Sequence, residues 1–131
     1  MQRRVTQASI RTLERRAREE AAPRLATEFP DLSSLDLEME EVASTTAPIV
    51  SYVRRVVVKA APALFEIPCG DSGCKDGGHD ITYELMAGLR RRQSSIAGED
   101  RCRGSIGTAS CPRTLRFRAV ARFEALVEPT R

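Results

Sequence analysis

What this chain lacks narrows the field first. Among 131 residues there is no tryptophan, and only two tyrosines and four phenylalanines. A core so poor in large rings must rest on Val, Leu, Ile and Ala, and gains from a metal or covalent staple. Long apolar runs are also missing. The longest, Val56 to Phe65, is broken by Lys59 and Pro62 and is too short to span a bilayer. The opening residues, Met-Gln-Arg-Arg-Val-Thr-Gln, run into charged sequence with no apolar signal core. The expectation is a cytoplasmic protein without a membrane partner. There thiols stay reduced, and paired cysteines more often mean metal than disulfide.

Histidine is nearly absent too, since His79 stands alone. Gly70-Asp-Ser-Gly73 matches the tetrapeptide around the nucleophile of trypsin-like proteases. The histidine follows that serine, however, and the chain is too short for a double barrel with an Asp partner. A zinc deaminase needs His-x-Glu followed by Pro-Cys-x-x-Cys, whereas here Asp80 and Ile81 follow His79 and Pro68-Cys69 precedes it. No P-loop, dinucleotide fingerprint or internal repeat occurs. The expectation is a protein that is not an enzyme.

What is present is charge, sorted along the chain. The net charge is only +3. Yet residues 1–27 hold seven Arg against three Glu, residues 28–41 hold six acids and no base, and residues 90–122 hold nine Arg against Glu99 and Asp100. Such segregation either pairs internally or makes a basic face.

Periodicity gives an α+β fold with a small, mostly antiparallel sheet. Residues 3–22 read as a helix with a thin stripe of Val5, Ile10, Leu13, Ala17 and Ala21, which packs lightly or docks on a partner. A short second helix begins at Pro23 and stops at Pro30. Residues 1–30 thus form an N-terminal helical arm, and 31–131 a single domain. From Leu35 the period becomes two, with Leu35, Leu37 and Met39 inward and Asp36, Glu38 and Glu40 outward. Tyr52 to Lys59 is a β-branched strand, interrupted at Ala61-Pro62 before Ala63–Ile67. Asp80 caps a helix running to Gln93, with Ile81, Leu85, Met86 and Leu89 apolar and Gly88 a weak point. The last strand, Leu115 to Leu126, turns Leu115, Phe117, Ala119, Ala121 and Phe123 one way and Arg116, Arg118 and Arg122 the other. An acidic strand and a basic one make plausible neighbours, because opposite charges across a ladder are modestly stabilising.

The densest chemistry is Cys69-Gly-Asp-Ser-Gly-Cys74-Lys-Asp-Gly-Gly-His79, followed by Cys102 and Cys111 bracketing a glycine-rich excursion. Zinc wants four soft or borderline ligands in a tetrahedron, and glycine lets the backbone curl around an ion. Three states are open to these thiols: one structural zinc site, unliganded reduced cysteines, or disulfides 69–74 and 102–111. The zinc reading is preferred, with His79 as the alternative ligand. At these residues, about 67–113, the chain resembles zinc ribbons, in which two cysteine pairs on strand ends clamp one ion. That resemblance implies Cys69, Cys74, Cys102 and Cys111 as ligands of Zn2+; the helix that Asp80 caps is inserted between the two pairs.

Three functions follow as expectations. The first is a zinc-stabilised interaction or adaptor module, binding a protein through its N-terminal helix or a sheet edge. The second is an RNA- or DNA-binding module using Arg90, Arg91, Arg92, Arg101, Arg103, Arg113, Arg116 and Arg118. Scarce aromatics and the acidic strand weigh against it. The third is a thiol redox switch, in which oxidising one pair ejects the metal.

Overall fold

A computed structural model describes residues 7–43 and 48–125. Its centre is an antiparallel four-stranded sheet in the order β2-β1-β8-β5. These strands are β1 (Leu32–Val42), β2 (Pro48–Val56), β5 (Ser95–Arg101) and β8 (Thr114–Phe123). The alternation read from residue 35 onward holds. Leu35, Leu37 and Met39 are buried opposite Ala121, Ala119 and Phe117, and Phe123 is half-buried.

The other face carries charge in register. Glu38 lies opposite Arg118 and Glu40 opposite Arg116. Asp36 accepts a hydrogen bond from Arg55 at 3.2 Å, and Arg116 stands 3.7 Å from Glu40 and 3.9 Å from Glu99. The acidic and basic strands are therefore neighbours, as their sequences imply.

The apolar face is covered by two helices. α2 (Leu25–Glu28) contributes Leu25, and Phe29 follows it into the same core. α3 (Thr82–Arg90) contributes Leu85, Met86 and Leu89. It is shorter at both ends than the periodicity implies, although Asp80 Oδ1 does accept the Thr82 N–H at 3.0 Å. Gly88 has a positive reason to be there. A Cβ on it would come within 2.6 Å of Ile96 Cγ1 on β5, so its absence sets how closely helix and sheet approach.

α1 (Gln7–Ala21) departs from the expected packing. Arg11, Thr12, Arg15 and Glu19 are its partly buried positions, while Ile10, Leu13, Ala17 and Ala21 are exposed. The helix lies polar side down, because its arginines find acids there: Arg11 pairs with Asp76, and Arg18 reaches both oxygens of Glu66 at 2.6 and 2.7 Å. Val5 lies outside the described residues, as does Leu126, the end of the last predicted strand. No helix among the described residues is long and apolar enough to cross a membrane.

Candidate metal centre

Two short ladders flank the thiols. β3 (Glu66–Ile67) pairs with β4 (His79–Asp80), closing the loop that carries Cys69 and Cys74. Within it the Cys74 N–H bonds to the Asp71 carbonyl at 3.1 Å, and the Asp71 side chain accepts the Gly73 N–H at 2.8 Å. Asp and Gly at those places favour such a turn. β6 (Ser105–Ile106) and β7 (Ala109–Ser110) form a hairpin whose turn includes Gly107 at φ 61°. The Cys111 N–H reaches the Gly104 carbonyl at 2.9 Å and the Cys102 N–H the Arg113 carbonyl at 2.8 Å. The hairpin thereby holds its two cysteines side by side. Lys75 and Ser105 then exchange reciprocal backbone hydrogen bonds of 2.8 Å, which tie the two loops together.

The result is one cluster. Cys69 Sγ lies 3.9 Å from Cys111 Sγ and Cys74 Sγ lies 3.6 Å from Cys102 Sγ. All four sulphurs fall within 4.8 Å of one another. Four thiolates around one cation at ~2.3 Å stand about 3.8 Å apart, so the donors fit a tetrahedral centre. All four are free thiols, so neither disulfide 69–74 nor 102–111 is formed, and sulphur contacts of 3.6 and 3.9 Å run between the two loops.

The backbone is shaped to the sulphurs. A Cβ on Gly77 would overlap Cys74 Sγ and come within 2.9 Å of Cys102 Sγ; one on Gly104 would overlap Cys74 Sγ and approach the Lys75 carbonyl at 2.6 Å. Amides point at the sulphurs as well. Gly78 N–H and Gly104 N–H donate to Cys102 at 3.3 and 3.4 Å, and Asp71 N–H donates to Cys69 at 3.5 Å. Burial alone would raise the Cys102 pKa, but the Gly104 and Gly78 amides, together with hydrogen bonds from Cys74 and Cys111, outweigh it and the thiol is lowered. Burial raises Cys69, partly offset by the Asp71 amide, and pushes Cys74 up to about 11. Thiols held this close cannot all ionise without a cation among them.

One group that the sequence did not single out, Glu41, completes the surroundings together with Arg113 and His79. Glu41 is 2 % exposed and accepts from the Gly70 N–H at 3.0 Å and from Arg113 at 2.7 Å. Arg113 also stands 3.9 Å from Asp71, and Glu41 holds its pKa up. The signal for Glu41 was present in the alternation, because the period that buries Leu35, Leu37 and Met39 continues inward to residue 41. His79 is buried beside Glu41 at 3.5 Å.

The eight arginines do not gather on one face. Arg113 lies within the centre and Arg103 beside it, lining with Arg11, Arg15 and Arg18 an open cleft of about 460 Å³. Arg90, Arg91 and Arg92 sit at the end of α3, where Arg92 bonds Asp31 at 2.9 Å. Arg116 and Arg118 face the acids of β1, and Arg101 ends β5 in solvent.

Comparison with protein-family models found no match to this chain, and neither curated proteins nor solved structures yielded one. The likeness to zinc ribbons thus stays at the level of two cysteine loops meeting at one centre. Fold and site together define an α+β protein whose four clustered cysteines can hold a metal ion.

Proposed function

We propose that the chain is a non-catalytic interaction module whose cysteine centre holds a structural Zn2+. An all-thiolate tetrahedron suits zinc and leaves no position for a reacting water. The binding side is the β2 edge of the sheet. Eight of the nine residues of β2 are exposed, Ile49 by 48 % and Val53 by 72 %. Among the described residues β2 is outermost in the strand order and no strand pairs with its outer side, so one row of its backbone groups is open to an added strand. That exposed apolar edge carries the reading. The outward stripe of Ile10 and Leu13 on α1 offers a second apolar surface.

A nucleic-acid role has less support, since Arg92, Arg113 and Arg116 already face acids at 2.7–3.7 Å. The test places a photo-crosslinking residue at Ser51 and, as a control, at Tyr83 on the far helix. A discrete protein adduct is expected from Ser51 alone, and it should vanish in Val50→Lys/Val53→Lys while the melting temperature holds. Equal labelling from both positions, or an adduct indifferent to those lysines, rejects the β2 edge.

A further inference from the structure

The imidazole of His79 is fully buried, with no exposed side-chain surface. Its Nδ1 lies 2.9 Å from the Asp100 carbonyl oxygen. A carbonyl can only accept, so Nδ1 carries a proton, and a neutral ring then presents a bare lone pair at Nε2. That lone pair has no hydrogen-bond partner among the described residues. It faces Glu41 Oε2 at 3.5 Å, two electron-rich atoms directed at each other in a dry place. Something positive belongs between them.

We propose that a second divalent cation of the zinc class binds there, held by His79 Nε2, Glu41 and the sulphur of Cys69. These three donors lie within 4.8 Å of one another. Nitrogen and oxygen ligands at ~2.05 Å in a tetrahedron stand about 3.3 Å apart. The observed 3.5 Å is close to that separation and long for a hydrogen bond. Metal-bound histidines almost always donate the other ring N–H to a carbonyl or carboxylate, as His79 does to Asp100. Glu41 retains capacity for the cation: Arg113 engages Oε1, while Oε2 takes only the Gly70 amide at 3.0 Å.

This inference rests on the structural centre proposed above, because Cys69 would bridge the two ions. A four-thiolate zinc site carries a net charge of −2, and a neighbouring cation relieves it. The alternative occupant is a proton, which would make His79 an imidazolium paired with Glu41.

Metal content of the full chain, loaded with excess zinc and dialysed, tells the two apart. Two equivalents are expected for the native sequence and one for His79→Gln. Cobalt-loaded His79→Gln should keep the sulphur-to-metal charge-transfer bands of the four-thiolate centre. One equivalent in both chains overturns the second site and leaves the first intact, whereas no stoichiometric metal in the native chain removes both. Should His79→Gln fail to fold, cadmium NMR of the native chain decides. Two resonances, one in the four-sulphur range and one shifted toward mixed sulphur, nitrogen and oxygen ligands, support the site; a single resonance overturns it.

Discussion

The glycines around the thiols differ in what they do, and substitution separates them. Gly77 and Gly104 lie against sulphur, where an added methyl has nowhere to go. Gly77→Ala and Gly104→Ala should each cost about 1–3 kcal/mol of overpacking and lower zinc affinity in a competition with a chromophoric chelator. Gly107 has open space but a φ of 61°, so Gly107→Ala should cost only ~1 kcal/mol of backbone strain and leave affinity unchanged. Gly88 sets propensity against packing. Alanine gains up to about 1 kcal/mol in a helix, but its methyl would meet Ile96 at 2.6 Å. Gly88→Ala should therefore lower the melting temperature, and Gly88→Ala/Ile96→Val should recover part of the loss. At this scale the cysteines were readable because thiols are few and grouped. Glu41 was not singled out, since one acid among six in residues 28–41 shows its burial only through the register of its strand.

At the scale of elements, the cysteine loops and the main sheet are held by different forces. β1 and β8 are joined by a ten-residue register and a shared apolar face, none of which needs a cation. The β6–β7 hairpin has two residues per strand, and a ladder that short is not stable in isolation. Its order depends on the Lys75–Ser105 exchange and on whatever holds the sulphurs together. Metal removal by a strong chelator should therefore speed amide exchange at Lys75, Ser105, Cys102 and Cys111 far more than at Leu37 or Ala119, read residue by residue by NMR. A uniform rise across both sets would mean that the centre supports the whole fold. The long strands and α3 were legible because their apolar period runs over many residues. The two-residue strands offer no period. α1 shows why a correct helix can still be placed the wrong way round: its alanine-rich stripe has little area to bury, while the acids of the thiol loops offer its arginines definite partners.

For the whole molecule the question is what the arginines are for. A net charge of +3 spread over one surface would favour polyanions, but the outer sheet face interleaves Asp36, Glu38, Glu40 and Glu99 with Arg55, Arg116, Arg118 and Arg122. Each cross-strand pair of opposite charge is worth roughly 0.2–1 kcal/mol, and together they leave little field for phosphates to follow. Reversing two of the acids tests whether that balance is what holds nucleic acid off. Glu38→Lys/Glu40→Lys would join Arg116, Arg118 and Arg122 into one basic row, at a cost of about 1–2 kcal/mol from like charges facing across the ladder. The native chain should give no shift of a short duplex at low salt. The double variant should bind it, with an affinity that falls steeply and log-linearly as salt is raised. Binding by the native chain with the same salt dependence would instead place the nucleic-acid surface away from this face, on Arg90, Arg91, Arg101 and Arg103, all of which are exposed.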